Sequence, residues 1–350
     1  MVSSPAKLAG LKVVDLTQFL PGPMLGLMLA DQGAEVVKVE PPGGDPARQM
    51  APFEAGQSFW FRNLNRGKAC ETLDLKSDAG RARLWELVEA ADVFLEGFRP
   101  GVIARLGFGY PQVSARNPRI VYASISAFGQ SGSMADHPAH DLGAWALSGF
   151  LSVNDGPDGT PVVPGVPASD MAAGLTGCAA VMMALYGREH SGRGDYIDIA
   201  MFDSLLPWAA HIAGEAAIHG APVRSASQRS LGGHAFYQVY RTADARHIVL
   251  CGREAKFARN LLTALDRPDL IPLAEAEAGP AHAPLIAFLA DIFAMRSRDE
   301  WTDWFHGRDI AFAPVLDFAE ALHQPLIAER NLLIDANGAH QFAPVIRFGG

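Results

Sequence analysis

The sequence predicts an α/β protein built on an open parallel sheet, with a smaller α/β body added to it. Three observations carry this. Near the N-terminus, "LKVVDLT" from Leu11, "GPMLGLMLADQGA" and "EVVKVE" from Glu35 read as strand, helix and strand. That is a βαβ unit, and such units build parallel sheets. The pattern then recurs down to about Gly132. Finally, 350 residues exceed one modest core, and no solenoid-type repeat divides them.

Each element has a local reason. The first helix ends near Gly33, a residue suited to a C-terminal stop. "SDAGRARLWELVEAA" is a helix with Ser77 at its N-cap and Leu84, Leu87 and Val88 on one face. "DVFLEGF" and "RIVYASISAFG" are the next strands. The run "MAAGLTGCAAVMMALYG" from Met171 is short for a membrane span, rich in Gly and Ala, and flanked by Asp170 and Arg188; it reads as a buried helix. "HGAPVRSASQRSLGGHA" reads as a linker. Beyond it, "HIVLCG", "EAKFARNLLTALD", "DEWTDWF" and "FAEAL" supply a strand and helices of a smaller domain.

Composition excludes some functions. The net charge of −9 leaves no basic excess to neutralise nucleic-acid phosphates, although a local cluster of cations still suits a small anion. Cys70, Cys178 and Cys251 form no CxxC pair, and an odd number closes no disulfide framework, so a reducing cytoplasm is the expected setting. The opening residues carry no basic-then-apolar signal pattern.

Four constellations hold chemistry. "LPGPMLG" after the first strand invites a dinucleotide, but Gly22 and Gly26 lack the GxGxxG spacing and Pro23 removes a helix N–H. Lys38, Arg62, Arg66, Lys68 and Arg99 stand at or just beyond strands, where open sheets bind ligands; they suit phosphates, or are scattered surface cations. Asp170 stands at the start of the Met171 helix, either as its N-cap or as a reactive carboxylate beside helix N–H groups that hold an oxyanion. His140 and Asp141 precede a small apolar segment; the pair bonds a turn, or His140 moves a proton. His137 and His140 share a Pro-rich loop with no third cluster, so no metal site is expected.

Taken together, these stretches resemble the family III coenzyme A transferases, a superfamily that includes α-methylacyl-CoA racemase. The likeness runs through "LPGPMLGLMLADQGAEVVKVEPPGGD", "NLNRGKACETLDLKSDAGR", "ADVFLEGFRPGVIARLGFGY", "NPRIVYASISAFGQSG", "GVPASDMAAG" and "SGRGDYIDIAMFDSLL". The resemblance implies a Rossmann-like large domain of residues 1–222 and 318–350, a small domain of residues 223–317, and an interlocked homodimer. It implies an acyl-CoA substrate, with coenzyme A entering as part of the substrate and no prosthetic group. It assigns Lys38, Arg66, Lys68 and Arg99 to coenzyme A.

Two chemistries follow from the resemblance. Transferases use the aspartate at the position of Asp170 as a nucleophile, forming an acyl anhydride and then an aspartyl-CoA thioester. Racemases use that aspartate and the histidine of an "HD" pair as two acid–base groups. His140 and Asp141 supply the pair, and Glu254 in "GREAKF" matches a glutamate that racemases carry early in a helix of the small domain, where it would orient His140 or close a proton route. The residues after "HD" and after Asp170 depart from the racemase pattern; "MAAG" is nearer the transferases. The expected function is epimerisation of a 2-methylacyl-CoA by His140, Asp170 and Glu254, with CoA transfer through Asp170 as the alternative and an NAD-dependent or binding protein as a remote one. Racemisation requires Asp170 to hold a proton near neutral pH, so burial should raise its pKa.

Overall fold

The structure is a computed structural model that describes residues 6–156 and 158–348. The chain divides into two compact units. One takes the chain up to Ser148, Pro164–Trp208 and the chain from Pro325 on; the other takes Gly149–Val163 and Ala209–Gln324. The sequence boundaries lay elsewhere: residues 149–163, 209–222 and 318–324 fall in the second unit. The linker's Gly, Pro and Ser residues lie downstream of the point where the chain leaves the first unit, so composition marked the wrong stretch.

In the first unit, β1 (Lys12–Asp15), β2 (Glu35–Glu40), β3 (Ala69–Thr72), β4 (Val93–Glu96), β5 (Val121–Ser126) and β6 (Tyr196–Ala200) form one sheet. Its spatial order is β3-β2-β1-β4-β5-β6, and every pairing is parallel. The order reverses between β1 and β4. Loops leaving the carboxyl ends of those two strands diverge to opposite faces and leave a crevice, which is where ligands bind in such sheets.

Both faces of the sheet are covered, which is why β4 reads "VFLE" with no polar alternation until its end. One face packs Val13, Val93, Leu95, Val121 and Ala123 against α1 (Pro21–Asp31) and α4 (Ala168–Ser191). The other packs Val14, Phe94, Ile120 and Tyr122 against Leu84 and Val88 of α2 (Asp78–Ala90). The Ser77 hydroxyl caps α2 by accepting from the Gly80 N–H, as its sequence predicts.

The 24-residue α4 is long and apolar enough to cross a membrane by length and composition alone. Its small residues have another cause. A Cβ added at Gly177 would lie 2.6 Å from Leu25 Cδ1 and 2.9 Å from Ile199 Cδ1. Glycine there lets α4 lie close on α1 and β6.

The second unit has an antiparallel sheet of β7 (Tyr237–Arg241), β8 (His247–Cys251) and β9 (Phe312–Pro314) in the order β9-β8-β7. Its core gathers Phe236, Ile248 and Leu250 with Leu261 and Leu262 of α5 (Ala255–Ala264), Leu285 and Leu289 of α6 (Ala283–Phe293), and Trp301 of α7 (Arg298–Phe305). A capping box between Ser297 and Glu300 starts α7.

Candidate active site

A cleft of about 620 Å³ opens at the carboxyl ends of the strands in the first unit. Each wall continues a strand: Thr17 and Phe19 follow β1, Gly97 and Arg99 follow β4, Ser126 ends β5 and Met201 follows β6. His140 and Asp170 complete it. The β1 exit is fixed by Asp15, whose carboxylate accepts from the N–H of Thr17 at 2.9 Å. Phe19 then takes φ +64°, a left-handed conformation rare for a bulky residue. Its ring meets the His140 ring edge-on, centroids 6.2 Å apart and planes at 84°.

The "HD" pair separates into two roles. His140 is the N-cap of the short helix α3 (Asp141–Leu147), makes no side-chain cap bond and is exposed to the cleft. Asp141 turns to α4. Its Oδ1 accepts from the Ser169 N–H at 2.7 Å, the Ser169 hydroxyl at 2.5 Å and the Asp170 N–H at 3.2 Å. A carboxylate thus satisfies the positive end of the longest helix from outside it.

Asp170 is therefore not the N-cap considered from sequence. The helix begins at Ala168, with Pro167 before it. Asp170 lies inside the first turn, and among the described residues its carboxylate accepts no hydrogen bond. Burial pushes its pKa up to about 7, with the charge on Asp141 adding to the effect. The expectation that helix N–H groups there would hold an enolate oxygen is corrected as well. The N–H groups of Ser169 and Asp170 serve Asp141, and that of Met171 donates to the Pro167 carbonyl at 3.0 Å.

The basic set divides sharply. Lys38 is fully buried; its Nζ contacts Asp45 Oδ2 at 2.8 Å and donates to the Thr17 carbonyl at 2.7 Å. The Lys68 side chain is also fully buried against Asp15 at 2.9 Å, and donates to the Pro23 carbonyl at 2.8 Å and Asn65 Oδ1 at 3.0 Å. Burial raises the Asp15 pKa, but Lys68 and Lys38 outweigh it and hold the carboxylate ionised. Arg66 makes a two-point pair with Asp31, and Arg62 pairs with Glu54 at 2.8 Å. These corrections share a cause: each cation beside a strand end meets its carboxylate only once the chain has folded, Asp45 and Glu54 from within eight residues and Asp15 and Asp31 from stretches 53 and 35 residues away. Arg99 differs. It is exposed, lines the cleft, and has no acidic partner among the described residues.

Sequence reasoning missed a second cleft of about 600 Å³ beside the first. Leu16, Val39, Leu73, Leu75 and Leu106 make its apolar walls, and Lys76 stands at its edge. The two clefts share Gln18 and Phe98. The signal was present in "TLDLKSD", which leaves β3 at the same end of the sheet. Glu254 belongs to the second unit, exposed at the N-cap of α5 with no cap bond from its side chain. Among the described residues no three His, Cys, Asp or Glu gather to hold a metal.

This arrangement places a histidine, a carboxyl titrating near neutrality and an unpaired arginine in one crevice, with an apolar slot alongside. The family model for CoA-transferase family III matches residues 8–349. Acetyl-CoA:oxalate CoA-transferase of Acetobacter aceti is 36% identical over 97% of this chain and 89% of its own length. Human alpha-methylacyl-CoA racemase is 34% identical over 93% of this chain and 82% of its own length. The crystal structure of a CAIB/BAIF family protein from Brucella suis matches with a TM-score of 0.86 at 30% identity, covering 99% of this chain and 93% of that one. A transferase and a racemase thus stand at similar distance, and the shared α/β architecture extends over nearly the whole length. The chain belongs to CoA-transferase family III and is an enzyme of the transferase or racemase type.

Proposed function

We infer that the protein epimerises a 2-methylacyl-CoA by 1,1-proton transfer between His140 and Asp170. The observation that carries this reading is that both groups line one cleft, one a histidine and the other a carboxyl with a pKa near 7. A thioester carbonyl acidifies its α-carbon only partly, so removal of the proton needs a base on one face. Delivery to the other face needs an acid. In one direction neutral His140 takes the α-proton, the electron pair moves into an enolate, and protonated Asp170 returns a proton from the opposite side. His140 is then protonated and Asp170 ionised, ready for the reverse direction or for exchange with water. The enolate oxygen needs a donor outside the first turn of α4, whose N–H groups are engaged.

Coenzyme A enters as part of the substrate. Arg99 is the group we assign to its phosphates, because it is a cleft cation without an acidic partner; the apolar slot walled by Leu16, Val39 and Leu73 suits a flat base. The role of Glu254 rests on the likeness of its stretch alone. So does the interlocked homodimer.

A second reading is CoA transfer, favoured by a carboxylate that is free of hydrogen bonds and by the transferases among the relatives. There Asp170 attacks the thioester carbonyl and CoA thiolate leaves. The thiolate then attacks the Asp170 carbonyl of the anhydride, releasing the first acid and leaving aspartyl-CoA. An acceptor carboxylate takes over the acyl-transfer role in reverse. Incubation in deuterated water with a 2-methylacyl-CoA and no second acid separates the two. Racemisation predicts α-deuterium and no trapped enzyme; transfer predicts a hydroxamate at Asp170 after hydroxylamine.

A further inference from the structure

Of the buried acids among the described residues, Asp15, Glu40 and Asp45 are paired with cations and Glu96 is not. Glu96 ends β4 and is 1% exposed. Its neighbour across the β4–β5 rung is Ser124, whose neighbour across β5–β6 is Asp198. One pleat earlier the same face carries Phe94, Tyr122 and Tyr196, with ring centroids 4.9 and 5.8 Å apart along the row. One pleat later β5 carries Ser126, a cleft residue whose buried hydroxyl has no hydrogen-bond partner among the described residues. The acid therefore lies beneath the cleft wall, in a polar row with Ser124 and Asp198 that stands between an aromatic row and Ser126 of the cleft.

Glu96 also holds that wall. Its Oε2 accepts from the Phe98 N–H at 2.9 Å, which closes the Gly97–Phe98 turn on the end of β4. Phe98 lines both clefts and Arg99 follows it. We propose that Glu96 is a positioning residue for ligand binding: its carboxyl fastens the turn that presents Phe98 and Arg99, and its ionisation sets a negative charge behind a cleft that takes an anion. The inference rests on the reading that coenzyme A binds this cleft.

Electrostatics agree with the geometry. Burial raises the Glu96 pKa to about 7; the Ser124 hydroxyl and the Phe98 N–H oppose the rise, and the charge on Asp198 adds to it. The groups that face it are Tyr122 and Ser124 from β5 and Tyr196 and Asp198 from β6. Asp198 is itself engaged, accepting from the Gln130 N–H at 2.9 Å. No lysine or arginine pairs with Glu96 among the described residues. An unpaired buried charge is costly, so the neutral form holds below neutrality. Asp170 titrates in the same range and faces the cleft directly, so the test holds it constant.

The experiment is titration calorimetry of free coenzyme A between pH 6 and 8.5, in an Asp170→Asn background, with and without Glu96→Gln. Titration of the ligand's own phosphate is common to both proteins and cancels. We expect the affinity of the Glu96-containing protein to fall about five-fold more over this range than that of the Glu96→Gln protein, the scale of one unit charge at moderate distance. Parallel profiles would overturn the charge effect. Hydrogen exchange of the Phe98 amide reads the positioning without any ligand. Glu96→Ala should speed it at least ten-fold and Glu96→Gln should retain protection; equal protection in the alanine variant would overturn the positioning. If Glu96→Ala does not fold, a rise in the Phe98 protection factor between pH 6 and 8.5 in the wild type but not in Glu96→Gln reads the same bond, because an ionised carboxylate accepts more strongly; its absence counts against it. A wild type that binds no coenzyme A would sink the ligand reading, and with it the charge effect on that ligand, while the exchange result still decides whether Glu96 holds the turn.

Discussion

At the scale of single residues, the two kinds of cation in the first unit make opposite predictions. Lys68 is sealed against Asp15, so Lys68→Ala strands a buried carboxylate and should cost about 3–5 kcal/mol of stability by denaturant unfolding. Arg99 has no acidic partner among the described residues, so Arg99→Ala should leave stability within about 0.5 kcal/mol. The same change should weaken coenzyme A binding by roughly 1.5–3 kcal/mol, the range for charge-assisted hydrogen bonds. The reverse pattern, with Lys68 needed for ligand and Arg99 for folding, would contradict both assignments. Asp170 makes a third prediction. Its native pKa lies above its unfolded one, so ionisation costs the folded state stability. The cost is absent below the unfolded value near 4, grows as pH rises, and is complete above about 7. After allowance for its partial exposure to solvent, Asp170→Asn should be about 1–2 kcal/mol more stable than wild type at pH 8. The two should unfold alike near pH 3.5, which thermal melts at both pH values will check. Sequence gave the identity of His140, Asp170 and Arg99 as cleft residues, because each leaves or follows a recognisable element. It could not give the fate of Lys38 or Lys68, since burial of a lysine depends on where Asp45 and Asp15 stand once the strands have paired.

At the scale of elements, the junction between α3 and α4 sets the site. Asp141 binds the first turn of α4 while its neighbour His140 faces the cleft, so one dipeptide ties a helix down and sets an imidazole in the cleft. Asp141→Ala leaves the N–H groups of Ser169 and Asp170 unsatisfied and should cost about 1–3 kcal/mol. It should also lower the Asp170 pKa by removing a like charge, which moves downward the alkaline limb of the pH–rate profile in the direction where Asp170 is the acid. An unchanged limb would mean that Asp141 has no electrostatic hold on Asp170. Packing makes a parallel demand at Gly177, where even a methyl group meets Leu25 and Ile199. Central strands were legible as continuous apolar runs. The edge strands β3 and β6 were not, because "ACET" is largely exposed and "YIDIA" alternates with polar residues. The start of α4 was read three residues late, since Pro167 takes the N-cap position in place of a residue with a capping side chain.

At the scale of the whole molecule, the strand order reverses between β1 and β4, and the crevice at that reversal collects residues from seven stretches of chain. The parallel sheet and the end of it where the cleft opens were legible from the βαβ rhythm alone. The boundaries of the second unit were not, because the chain crosses between units without a marked linker at Trp208. The proposed interlocked dimer predicts that light scattering at micromolar concentration finds twice the chain mass and no folded monomer; a folded monomer would remove it. The most direct test of the central claim is α-deuterium incorporation into a single enantiomer of a 2-methylacyl-CoA in deuterated water, followed by mass spectrometry of the enzyme after hydroxylamine. Proton transfer between His140 and Asp170 predicts deuterium at the α-carbon, inversion of the centre and an unmodified Asp170. A hydroxamate at Asp170 with no α-deuterium would contradict it and leave CoA transfer in its place.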